Sequence, residues 1–112
     1  MKFKTIAITL LFVMLFSTTV FATTFPTTDN IKPNKIWTIN FNKDIETIRM
    51  NIVDKDNNFV PCMVYIKNEK VTVVPFSDYL EGEYTLTIES VLAKDESILT
   101  ETVNMKFIVK EQ

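Results

Sequence analysis

Apolar and polar residues alternate most cleanly over residues 82–89. Tyr84, Leu86 and Ile88 share one parity there, and Glu83, Thr85, Thr87 and Glu89 share the other. Successive side chains of a strand point to opposite faces, so the spacing predicts a strand with one buried face and one wet face. Gly82, the only glycine of the chain, stands where that strand is entered and takes positive φ without steric cost. The same period of two recurs in Trp37, Ile39 and Phe41, in Ile48, Met50 and Ile52, and in Val103, Met105, Phe107 and Val109. Val71, Val73 and Val74 form a β-branched run that Pro75 stops. Residues 59–66 break the rule, because both parities are apolar. Val60, Cys62, Val64 and Ile66 make one face, expected to fill the core, and Phe59, Pro61, Met63 and Tyr65 make the other.

Between these runs lie turn signals. Asn42 and Asp44 interrupt the pattern, and Ile45 and Ile48 allow at most one helical turn. Residues 54–58 are all Asp, Lys or Asn and read as a hairpin loop, and residues 67–70 read as a second turn. Residues 91–102 are irregular, with Val91, Leu92, Ile98 and Leu99 as hydrophobic anchors of a crossover. The pattern predicts an all-β, Ig-like β-sandwich of about six to seven short, mostly antiparallel strands, with a small barrel as the alternative.

Upstream, two lysines precede an apolar run over residues 6–16, and Val20 and Ala22 supply the small residues of a cleavage site. Residues 1–22 therefore read as a cleavable signal peptide, too short in its apolar part for the roughly 20 residues of a membrane span. Residues 23–34, rich in threonine with Pro26 and Pro33, read as a flexible leader, and residues 35–110 as one sandwich domain. The mature chain is expected to start at Thr23, with ten basic and fourteen acidic residues. Such a domain has no electrostatic case for nucleic acid, and no membrane association is expected after cleavage. A single cysteine, Cys62, rules out an internal disulfide.

Three segments together resemble the bacterial Ig-like domain of S-layer and other surface proteins. They are Trp37-Thr38-Ile39-Asn40-Phe41-Asn42-Lys43, then Leu80-Glu81-Gly82-Glu83-Tyr84-Thr85-Leu86-Thr87-Ile88, then Met105-Lys106-Phe107-Ile108-Val109. The resemblance spans residues 35–109. It departs from the family pattern at Asn57-Asn58, where Asp-Gly is frequent, at Asp95-Glu96-Ser97, and in the short spacing from Gly82 to Tyr84. It implies a sandwich fold and an extracellular setting, and brings no catalytic residues.

The candidate chemistry is sparse. With no histidine, Ser-His and Cys-His nucleophile systems and most zinc or copper sites are excluded. Cys62 has no base beside it in sequence and reads as a small hydrophobe. Asp54, Asp56 and Asn58 are spaced like the start of a calcium loop, but Phe59 and Tyr65 stand where that loop needs glycine and glutamate. Glu81 and Glu83 flank Gly82 and read as solvated charge rather than a carboxylate pair for glycoside hydrolysis. Trp37 and Tyr84 have inward parity, which favours core packing over a sugar platform. The Tyr84 hydroxyl is expected to reach back to the preceding loop, as in an Ig-like tyrosine corner.

The expectation is an exported, non-enzymatic module that binds or spaces, secreted and in part cell-surface associated, with no cofactor and no metal. The alternative is a secreted small-ligand or glycan binder using rim loops, where Phe76 and Tyr79 are the available aromatics. The candidate partner surface is Phe59, Pro61, Met63 and Tyr65, facing a cell-surface protein, a cell-wall component or a second copy in weak self-association. Cover by residues 23–34 or 91–102 is the competing fate of that face.

Overall fold

The computed structural model of the chain describes residues 13–14, 23–99 and 102–110. The expected signal peptide lies outside them except for Val13–Met14. In chain order the strands are β1 (Val13–Met14), β2 (Thr23–Ile31), β3 (Trp37–Phe41), β4 (Ile45–Asp54), β5 (Cys62–Lys67), β6 (Lys70–Pro75), β7 (Gly82–Ala93), β8 (Ile98–Leu99) and β9 (Val103–Val109). One sheet runs β1-β3-β6-β5; the other runs β2-β9-β7-β4, with β8 pairing β7. The pairs are antiparallel except β1 with β3 and β2 with β9. Among the described residues there is no helix, and the fold is an all-β sandwich, Ig-like in the coarse sense.

The core lies between the two sheets and follows the parity of the sequence. Trp37, Ile39, Phe41, Val71 and Val73 come from one sheet, and Ile52, Leu86, Ile88, Val103, Met105, Phe107 and Val109 from the other. At its centre is an aromatic group. Phe107 lies 4.9 Å from Trp37, 5.3 Å from Tyr84 and 5.3 Å from Tyr79, centroid to centroid. The strand pairing sets one of these contacts, because Tyr84 stands directly opposite Phe107. The Tyr84 hydroxyl donates to the Leu80 carbonyl at 2.7 Å, closing the expected corner over the 80–84 turn. Gly82, at φ +150°, gives that turn its shape.

The structure differs from the pattern in three places. Residues 23–31, read as a leader, form β2 and pair in parallel with β9 from Thr23 to Ile31. Its register slips between Phe25 and Thr28 and again between Thr28 and Ile31. An edge strand with irregularities tolerates Pro26, which has no N–H to donate. Secondly, β7 continues to Ala93 rather than stopping near residue 88. Arg49 pairs with Ser90 and Met50 with Ile88, so Glu89 is an extra residue and buried positions move from even to odd numbers. Thirdly, Ile45 to Ile48 is strand with an irregularity between Ile45 and Thr47, not a helical turn. A bulge inserts one residue and inverts the inward parity, and three-residue spacing of isoleucines follows.

Candidate functional site

The chain leaves the β4 hairpin at Asp54, whose carboxylate accepts the N–H groups of Asp56 at 2.9 Å and Asn58 at 3.0 Å. These bonds, the one from Asn58 foremost, hold the Asp54 carboxyl below its ordinary range. Asn57 takes the left-handed φ of 64° that asparagine tolerates. Asp54 thus serves the turn from within the loop. The chain then crosses from one sheet to the other. Phe59 bridges to Val53, and the Val60 N–H donates to Ile52 of β4 at 2.8 Å, while β5 from Cys62 onward pairs with β6 of the other sheet. Pro61 stands at the crossing, where a missing donor breaks no ladder.

This route makes β5 the end strand of its sheet. Cys62, Val64 and Ile66 stand opposite the buried Pro75, Val73 and Val71, so they do have the inward parity. Of the four residues expected inside, Val60 and Cys62 pack against the core, and Val64 and Ile66 do not. Val64 and Ile66 are each 37% exposed and Cys62 is half-buried, because β5 lies at the margin of the sandwich. On the other face Met63 is 39% and Tyr65 54% exposed, with the Tyr65 hydroxyl donating to the Met63 sulfur at 3.3 Å. Phe59 is 74% exposed, Pro61 is exposed, and Phe76, whose N–H donates to the Pro61 carbonyl, adds a further aromatic at 66%. Sequence reading placed Phe76 on a rim loop; its position against Pro61 follows from the Cys62–Pro75 pairing.

Among the described residues, neither expected cover pairs with this strand. β2 lies at the far edge of its sheet from β4, which is the strand beside which residues 59–60 pass. Residues 91–99 are taken up by β7, its pairing with β4 and the β7–β8 hairpin. The four residues singled out from the sequence therefore stand along one exposed margin, and the structure adds Val64, Ile66 and Phe76 to it.

Other candidate chemistry disperses. Burial pushes the Cys62 thiol up, which keeps it protonated and a poor nucleophile. Glu81 and Glu83 are both exposed. Trp37 is fully buried, with the Lys35 ammonium 5.2 Å from its ring centre. Tyr79, expected on an exposed rim loop, is a core residue. Its N–H donates to the Pro33 carbonyl at 2.8 Å, and burial drives its hydroxyl well above the ordinary tyrosine range. Among the described residues no three of His, Cys, Asp and Glu come together as metal ligands. A shallow hollow of about 300 Å³ is lined by Pro33, Asp78, Tyr79, Leu80 and Glu81.

No family model matches the chain, and no curated protein matches it. Solved structures do resemble it. One is the crystal structure of CopC from Methylosinus trichosporium OB3b, with a TM-score of 0.64 and 16% sequence identity, over 77% of this chain and 85% of that one. At that identity the likeness shows the fold alone: this chain and CopC share a β-sandwich.

Proposed function

We propose that this chain is an exported, non-catalytic binding module of the bacterial cell surface or the medium, and that β5 is its docking element. One observation carries the reading: at a sheet edge, apolar side chains stand exposed on both faces of the same strand. Contiguous apolar surface of this kind marks interaction sites in soluble proteins, and sheet edges without a partner are ordinarily guarded by charge. Residues 59–66 contain no charged residue. The absence of histidine and the protonated Cys62 thiol support a non-enzymatic role. A rim-loop ligand site is the weaker reading, because burial of Tyr79 leaves Phe76 as the one exposed aromatic of the 76–81 loop.

Fractionation of cells into wall, membrane and medium tests this, comparing wild type with a variant carrying both Met63→Lys and Tyr65→Lys. Release of the variant into the medium, or loss of a co-purifying component, with an unchanged thermal melt is the expected result. A lowered melt with unchanged partition would mean that β5 serves packing, and would overturn the reading.

A further inference from the structure

Resting on the reading of β5 as a docking element, we propose that its partner is a second copy of the chain. The two β5 strands pair antiparallel across a two-fold axis at Val64, joining two sheets into one. The outer edge of β5 is available for this. Among the described residues, no backbone hydrogen bond joins residues 62–67 to any strand but β6.

Charge selects the direction. The hairpin before β5 carries Asp54, Lys55 and Asp56, a net −1, and the turn after it carries Lys67, Glu69 and Lys70, a net +1. Parallel apposition of two copies sets like ends together, whereas antiparallel apposition sets the acidic end of each beside the basic end of the other. An antiparallel pair of identical strands is a self-complementary two-fold contact that closes on itself.

Parity and composition then select the register. Directly opposed residues must share a sheet face, so the axis passes through a residue rather than between two. With the axis at Val64, Val64 meets Val64, Met63 meets Tyr65, and Cys62 meets Ile66, so each of these contacts is apolar on both sides. With the axis at Tyr65, Lys67 is set against the exposed Met63 inside the strand, whereas with the axis at Val64 it falls opposite Pro61, beyond the strand end. With the axis at Met63 only residues 62–64 pair strand to strand. The Tyr65–Met63 contact within one strand also prefigures the one between copies. Six strand residues with Phe59 and Phe76 as flanks are fewer than the roughly 20–30 residues per side of a standard interface, so the dimer is reversible and grows with concentration.

Two experiments on the exported chain test the proposal. In a Cys62→Ala background, Val64→Cys places two thiols across the axis, about 4.5–5.5 Å apart at Cα and within disulfide reach. Met63→Cys places its two thiols about 8 Å apart, beyond that reach. Mild oxidation should cross-link Val64→Cys at least about tenfold faster than Met63→Cys. Sedimentation then separates two charge variants. Met63→Lys with Tyr65→Lys sets lysine against lysine and should abolish the dimer, and Met63→Lys with Tyr65→Glu sets lysine against glutamate and should keep it. Equal cross-linking at both positions, equal behaviour of the two charge variants, or a monomer at every concentration would each overturn self-pairing. If self-pairing fails while the double-lysine variant still leaves the cell surface, β5 docks onto a different molecule. If partition is unchanged as well, the docking reading falls with it.

Discussion

β7 and β5 are both rich in apolar residues, yet they do opposite things. β7 has strand partners on both sides, β4 and β9, and its apolar residues Tyr84, Leu86 and Ile88 are buried while Glu83 and Glu89 face solvent. Among the described residues β5 has one strand partner, β6, and exposes apolar side chains from both faces. Burial of a large apolar side chain stabilises by about 1.5–3 kcal/mol, so each such residue of β7 is committed to the fold. Those of β5 are only partly committed, and the remainder of their surface is exposed. A residue's type says whether burial is favourable; its place in the sheet says who supplies the burial.

The largest effects should therefore fall on β7. Tyr84→Ala removes a ring packed on Phe107 and Tyr79 and should cost about 3–5 kcal/mol, a large part of a small domain's stability. Tyr84→Phe keeps the rings and loses the bond to the Leu80 carbonyl, for about 1 kcal/mol. Chemical denaturation measures both, and equal losses would mean that the corner bond rather than the ring carries the effect.

Gly82→Val should cost on the order of 1 kcal/mol or more. Its cause is specific, since a Cβ added at Gly82 meets no atom within 4 Å while φ lies at +150°. The strain is in the backbone, so Gly82→Ala should also destabilise. A neutral alanine variant would contradict this.

A smaller effect belongs to the turn beside β7. The Ser97 hydroxyl and N–H, with the Lys43 ammonium at 3.0 Å, hold the Asp95 carboxyl down to about 2, from an ordinary 3.8. A carboxyl whose folded value is depressed contributes stability that is complete above its unfolded value and is lost as pH falls through the folded one. The melting temperature should thus be level above about pH 5 and fall between about pH 4 and pH 2. Asp95→Asn should lower it slightly at pH 7 and make the acid limb shallower, while an unaltered limb would show that other carboxylates, Asp54 among them, set it.

How much of this was legible in the sequence depends on whether an unbroken alternation met a two-sided environment. It did at β3, β9 and the first half of β7, where the core-facing residues and the tyrosine corner follow from parity and one glycine. It failed at bulges, because Glu89 in β7 and the irregularity after Ile45 invert the parity and so mimic a strand end and a helical turn. It failed at β2, whose threonines and single proline carry no pattern; its strand character comes from pairing with β9, which local residues do not encode. Tyr79 read as a loop residue because the 76–81 loop has no period, yet the loop folds its ring onto Tyr84 and Phe107. For the candidate site, the double apolar face of residues 59–66 was visible at once. Its exposure on the inward side was not, since that depends on β5 lying at the margin of the sandwich.

The smallest effect is the most telling one. If β5 exposes its apolar residues for binding, the variant with Met63→Lys and Tyr65→Lys should melt within about 3 °C of wild type in dilute solution, where no partner is held. The account predicts that near-identity beside the large loss of Tyr84→Ala. A drop in the double-lysine variant comparable with that of Tyr84→Ala would show that β5 is held by its own fold, and would contradict the division between the two strands.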